Sequence, residues 1–210
     1  IHGDHIFGNM GFNDLEIVSH RRLWEKMEES LKNEWTPKNL QTMLDTYKRD
    51  APERWWLFDG LQIVVPTTTF TDKCEIEDVQ FINYGGHSDC SSIVYLPDEK
   101  VMFAGDLLFV KRFPWAGDPT ADPDKWIASF EAMLKMDVDT IIPGHGPLCD
   151  LDEVEKQLGW MKEVRWIMQG LIGDGATEDE ATSYAYRELY QTDRPEWQKR
   201  SYARWYTVWS

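Results

Sequence analysis

The sequence has no run of about 18 consecutive apolar residues, the length a membrane-crossing helix needs, so neither a transmembrane segment nor a membrane partner is expected. It has only three cysteines, Cys74, Cys90 and Cys149, far apart and in no Cys-x-x-Cys pair. That usage argues against a disulfide scaffold and against a thiolate zinc knot. Reduced, mostly buried thiols in a cytoplasmic protein are the expectation. Positive charge is scarce: 22 Lys and Arg face 37 Asp and Glu, a formal net charge of −15. Binding to a phosphate backbone needs a basic surface, so nucleic acid is not an expected partner. There is no internal repeat, no low-complexity segment, no long linker and no signal peptide within these residues. Histidine is also sparse, with five in 210 residues.

What is present is enough for one domain, residues 1–210, with a real core. Eleven Trp, nine Phe and eight Tyr offer large areas to bury. Residues 10–13 read as a loop, and Leu15 to Val18 as a short strand. Helical spacing of Leu23, Trp24, Met27 and Leu31 predicts a helix from Arg21 to Asn33. Pro37 opens a second, with Leu40, Met43, Leu44 and Tyr47 on one face. The middle turns to strands: Gln62–Val65, Val79–Ile82, Ser92–Leu96 and Lys100–Ala104, the last two joined by Pro97-Asp98-Glu99. These read as antiparallel. An amphipathic helix from Asp124 to Met136 precedes a buried strand, Thr140–Ile142. Residues 151–210 read as helical throughout: Leu151 to Leu171, Thr177 to Tyr190, and Pro195 onward. Thr177 and Glu180 have the spacing of a capping box.

The chemistry-bearing residues sit where elements end. His2, Asp4 and His5 fall within four residues at the start of the chain. His87 follows Gly85-Gly86. Asp106 follows the strand ending Phe103-Ala104-Gly105, and a carboxylate at such a position needs a strong partner. His145 is set between Pro143-Gly144 and Gly146-Pro147, a context that fixes the backbone and admits close approach. Each signal alone is weak. Together, imidazole and carboxylate without thiolate suit a hydrolytic zinc, manganese or iron site. His20, at a strand end before a helix, reads as a capping residue.

In that order and spacing, the sequence resembles the metallo-β-lactamase superfamily. Ile1-His-Gly-Asp-His-Ile-Phe-Gly-Asn9 is similar to the family's His-x-His-x-Asp-His motif and its following Gly-Asn. The likeness continues through Gly86-His87-Ser88, Phe103 to Phe109 and Pro143-Gly144-His145-Gly146, covering nearly the first 150 residues. In that pattern the motif's first histidine would stand immediately before Ile1. A chain shortened at its N-terminus is therefore expected, a fragment lacking most of the first β-sheet.

The resemblance implies an α/β (α+β) fold, the αββα sandwich, with a helical C-terminal tail. It implies two divalent metal ions, zinc first, with manganese or iron as alternatives. His2 and His87 would hold one ion, Asp4, His5 and His145 the other, and Asp106 would bridge them. Asp4 and Asp106 would be catalytic, Asp4 orienting a metal-bridging hydroxide. The implied activity is hydrolysis of an ester, thioester, lactone or amide in a small-molecule substrate. A mononuclear iron, persulfide dioxygenase-like oxidoreductase and an inactive metal-free fragment are the alternatives.

Two departures stand out. Ser88-Asp89-Cys90-Ser91 replaces the family's usual Thr-Pro-Gly-Ser, and Asp106 stands where the classical β-lactamases have cysteine. The second points away from antibiotic hydrolysis and toward the glyoxalase II-like branch, although that enzyme's glutathione-binding signature is missing. Lys111, Arg112 and Trp115, just beyond Asp106, are the candidates for binding substrate.

Overall fold

The computed structural model describes residues 1–192 and 194–210, and the chain divides into two compact units, Ile1–Thr71 and Asp72–Ser210. The first unit opens with a single helical turn, α1 (Gly3–Ile6), which runs into a 3-10 helix, Phe7–Phe12. Residues 10–13 are thus mostly helical rather than the loop their composition suggests. Strand β1 (Val18–His20) leads into α2 (Arg21–Asn33), and α3 (Pro37–Asp50) follows. Strand β2 (Thr68–Phe70) returns to pair with β1 in parallel, Ser19 opposite Thr69.

Local chemistry accounts for the helix starts. His20 Nδ1 accepts the Arg22 N–H at 3.2 Å and so caps α2, as its position at a strand end suggests. Thr36 Oγ1 accepts the Asn39 N–H at 3.3 Å, with Pro37 pre-set for the first helical position. Ile6, Met27 and Trp35 form the buried centre, with Phe7, Leu23, Leu40, Ile63 and Val65 around them. Gln62–Val65 is not a strand. The Val64 carbonyl accepts the Asn9 side-chain amide at 3.0 Å instead of a ladder partner.

The second unit is built on a five-stranded sheet in the order β3-β4-β5-β6-β7. The strands are β3 (Lys73–Ile76), β4 (Val79–Asn83), β5 (Ser92–Leu96), β6 (Val101–Phe109) and β7 (Thr140–His145). The first four form an antiparallel meander, and β7 runs parallel to β6. A parallel neighbour needs a crossover, and α4 (Pro123–Met133) supplies it. Asp122 Oδ1 caps α4, accepting the N–H groups of Asp124 at 3.1 Å and Lys125 at 3.0 Å. Its face of Trp126, Ile127, Phe130 and Met133 is buried.

Three helices follow: α5 (Leu151–Gly173), α6 (Glu178–Thr182) and α7 (Pro195–Trp209). The aromatic residues of this tail join the core: Trp160 and Tyr202 meet Phe113 edge-on, and Trp205 meets Trp160 and Tyr202 in the same way. The Thr177–Glu180 capping box is present, but α6 ends at Thr182 rather than Tyr190. The architecture is α/β with C-terminal helices, and no helix among the described residues is long and apolar enough to cross a membrane.

Candidate metal centre

Three of the expected ligands, Asp106, His145 and His87, meet at one end of the second unit's sheet. Asp106 lies in β6 directly after Gly105, whose φ of +51° favours a residue without a Cβ. The β6–β7 register shifts on both sides of Gly105, between Phe103 and Gly105 and between Gly105 and Phe109, and Asp106 lies within the second shift. Such irregularities re-aim side chains, and they are enriched beside functional sites. The opposing strand makes room for the carboxylate through Gly144, where an added Cβ would come within 2.2 Å of Asp106 Oδ1. His145 ends β7, and its carbonyl accepts the Val110 N–H at 2.8 Å. Its ring stacks on Phe109, with centroids 5.1 Å apart and planes 23° from parallel.

His87 comes from the β4–β5 connection. Gly86, at φ +112°, packs against the start of α4: an added Cβ would lie 2.7 Å from Trp126 Cα. The Gly86 carbonyl accepts the Asp122 N–H at 2.8 Å, so the residue before His87 is pinned to the α4 N-cap. His87 is 2% exposed, and its ring is surrounded by those of Phe109, Trp115 and Trp126, at 5.4–5.7 Å. Trp126 is itself fixed, its Nε1–H donating to the Leu107 carbonyl at 2.8 Å.

The polar geometry fits a cation. His87 Nδ1 lies 2.8 Å from the Trp115 carbonyl oxygen, which can only accept, so Nδ1 carries the proton. In the neutral ring, Nε2 then presents a lone pair, and it faces Asp106 Oδ2 at 3.4 Å. The other oxygen, Asp106 Oδ1, faces His145 Nε2, also at 3.4 Å. Two donors about 2.1 Å from one zinc ion at a tetrahedral angle lie about 3.4 Å apart. Each imidazole–carboxylate pair therefore has the separation of neighbouring metal ligands, and a carboxylate with one oxygen toward each imidazole is suited to bridging. The carbonyl behind His87 is the outer partner that orients a ligating histidine.

Of the remaining expected residues, His2 precedes α1, and Asp4 and His5 lie within it. His5 Nε2 is 3.7 Å from Asp4 Oδ2, on side chains that are 35% and 56% exposed. A Cβ at Gly3 would meet the Phe7 ring at 2.4 Å, so a larger residue there would have to displace that ring. Lys111 and Arg112 are exposed, Lys111 with φ +58°. Trp115 contributes its carbonyl to His87, and its ring lies 5.8 Å from Trp197. Cys90 is buried with its sulfur 3.4 Å from Ser88 Oγ, and the Asp89 N–H donates to Thr120 Oγ1 at 3.1 Å. None of the three cysteines is disulfide-bonded, and Cys90 alone is buried while Cys74 and Cys149 are half-buried. Phe109 ends the Phe103–Phe109 stretch of the resemblance and Trp126 sits on the predicted Asp124–Met136 helix, but nothing in the sequence assigns either to packing the two histidines. Their only signal is an aromatic residue at a strand end or on a helix face.

Comparison with known proteins agrees with this construction. The sequence profile described as the metallo-beta-lactamase superfamily matches residues 1–145. A linear primary-alkylsulfatase of Pseudomonas sp. is 26% identical over 133 residues, covering 55% of this chain and 25% of that protein. The chain thus spans about a quarter of the length of this curated relative. A metallo-beta-lactamase family protein of Thermus thermophilus superposes with a TM-score of 0.56 at 16% identity, over 93% of this chain and 68% of that one. The inverting sec-alkylsulfatase Pisa1 of Pseudomonas sp. gives 0.53 at 16% identity, over 71% and 27%. These structural likenesses speak for the fold, and the profile match over more than half the sequence speaks for descent. The chain belongs to the metallo-beta-lactamase superfamily.

Proposed function

We propose that this chain is a metal-dependent hydrolase of an ester-type bond, with sulfate esters foremost and carboxylic esters, thioesters, lactones and amides as the wider class. The observation that carries this reading is the Asp106 carboxylate with one oxygen 3.4 Å from each of two imidazole Nε2 atoms. Many members of the superfamily are hydrolases, and the alkylsulfatase relative supports the choice of sulfate ester. A divalent ion held at such a site, zinc first, would supply Lewis acidity and a nucleophilic water with a pKa of about 7.

In this reading Asp106 would serve two ions, with His87 as a ligand of one and His145 of the other, and the family resemblance would add His2 to the first and Asp4 and His5 to the second. The Trp115 carbonyl holds the His87 ring in the tautomer that presents Nε2, and the Phe109 ring holds the plane of His145. Asp4 would orient the water that such a centre activates. Lys111 and Arg112 receive the anionic end of a sulfate ester. They work against the chain's formal charge of −15, which by itself repels such a substrate. No serine or cysteine nucleophile is needed, so Cys90→Ala keeps its turnover.

The test is a zinc-loaded preparation offered an alkyl sulfate, an aryl acetate, a thioester and a lactone. Turnover of the sulfate ester, lost in Asp106→Ala, is the expected result. Two bound metal ions without turnover of any of the four would overturn the assignment. One bound iron with oxygen consumption would replace it with a redox activity.

A further inference from the structure

Gln157, on α5, is fully buried among apolar residues. Its side-chain nitrogen donates to the Phe109 carbonyl at 2.7 Å and to Glu153 Oε1 at 2.7 Å. A carbonyl and a carboxylate both accept, which fixes the orientation of the amide. The Gln157 Oε1 atom is then buried with no donor among the described residues. A leucine would fill this space without leaving an oxygen bare, so packing alone does not select an amide here.

The carbonyl that Gln157 holds sits at a significant point. Phe109 pairs with His145 across the last step of the β6–β7 ladder. Its ring stacks on His145 at 5.1 Å and lies 5.7 Å from His87. Behind Gln157 the bracing continues. Glu153 accepts the Tyr190 hydroxyl proton, and Lys156 Nζ lies 2.6 Å from the Tyr190 oxygen and 3.6 Å from Glu153 Oε2. The same ammonium sits 4.0 Å over the Tyr190 ring. A chain of contacts thus runs from a half-exposed lysine and tyrosine, through Glu153 and Gln157, to the backbone beside both histidines.

We propose that Gln157, braced by Glu153 and Tyr190, is the positioning residue that fixes Phe109 and, through its ring, the orientation of His145 and His87. The consequence for metal affinity rests on the metal-hydrolase reading, whereas the positioning itself is readable without metal. In the metal-free chain, the His145 ring signals in carbon–proton NMR are assigned by their loss in His145→Gln. Those signals sense the ring current of the stacked Phe109. Gln157→Leu shifts them and, in a zinc competition with a chelator, lowers affinity by a few-fold, less than the about 10-fold or more for a group bonded directly to a ligating histidine, because Gln157 acts through Phe109. Tyr190→Phe, at the outer end where folding is safe, moves both readouts in the same direction by less. Tyr186→Phe is the control. It removes a buried hydrogen bond to the Ala181 carbonyl, 2.9 Å long and outside this chain of contacts, and leaves the His145 signals in place. Unmoved signals in Gln157→Leu and Tyr190→Phe overturn the proposal, as does an equal shift in Tyr186→Phe. If Gln157→Leu does not fold, Tyr190→Phe decides. Wild-type chain that binds no zinc, with Gln157→Leu still shifting His145, removes the hydrolase reading and leaves the positioning role standing.

Discussion

Gly144→Ala tests whether the space for the Asp106 carboxylate is built into β7. The added Cβ would stand 2.2 Å from Asp106 Oδ1, 2.7 Å from the Gly105 carbonyl carbon and 2.9 Å from the Asp106 nitrogen. Comfortable heavy-atom separations begin at about 3.5 Å, so the overlap is about 1.3 Å at the carboxylate oxygen and about 0.6–0.8 Å at the two backbone atoms. Two of the three atoms are backbone in the adjacent strand, and they cannot swing aside as a flexible side chain would. Overpacking of this kind costs about 1–3 kcal/mol. At about 2–4 °C per kcal/mol for a chain of this size, the midpoint of thermal unfolding falls by about 2–12 °C. The carboxylate must also move, so zinc affinity falls with stability. Gly159→Ala gives the opposite sign. Gly159 lies inside α5 with nothing within 4 Å of an added Cβ, and alanine there gains about 0.5–1 kcal/mol in helix formation. Differential scanning calorimetry of both variants, with a chelator competition for zinc, gives the comparison. A Gly144→Ala chain that melts at or above the wild-type temperature, or keeps wild-type zinc affinity, refutes the argument.

Three further expectations follow from the same structure. Thr177→Ala removes the oxygen that accepts the Glu180 N–H at 3.3 Å and costs about 1 kcal/mol, read from denaturant unfolding. Trp126→Phe leaves the Leu107 carbonyl without its 2.8 Å donor in a fully buried setting, a loss of about 1–3 kcal/mol. It also loosens the His87 surround, so zinc affinity should fall along with the melting temperature. At alkaline pH, burial holds the Cys149 thiol and the Tyr202 hydroxyl up to about 12, against ordinary values of 9.0 and 10.0. The unfolded chain releases those protons first, so their contribution is complete below about pH 9 and lost between about pH 9 and 12. Melting temperatures measured from about pH 8 to pH 11 should fall progressively, and a flat profile would contradict the assignment.

Much of this is legible in the sequence. The α2 helix follows the spacing of Leu23, Met27 and Leu31, and the order of the glycine-flanked histidines and Asp106 points to a metal centre. The misses have physical causes. Strand β3 was hidden because its hairpin to β4 turns at Glu77-Asp78, with Glu77 at φ +53° and no glycine to announce it. Gln62–Val65 has the composition of a strand, but the Val64 carbonyl accepts the Asn9 side-chain amide instead of a ladder N–H. Strand β6 runs five residues past Ala104 because its register shifts around Gly105 let pairing resume at Phe109. Helix α6 stops early, and beyond it the Arg187 carbonyl accepts the Trp160 Nε1–H at 2.8 Å, a bond made with α5 rather than along a helix. Composition and spacing find the groups that do chemistry. The backbone carbonyls and buried amides that aim them, Trp115 and Gln157 here, appear only once the chain is folded.

The most direct test is the zinc content per chain, measured by elemental mass spectrometry on dialysed wild-type protein and on Asp106→Asn, which keeps the shape and removes the charge. Bound zinc in the wild type and little or none in Asp106→Asn is the predicted result. A metal-free wild type, or equal zinc in both, would contradict the claim that His87, Asp106 and His145 form a metal centre.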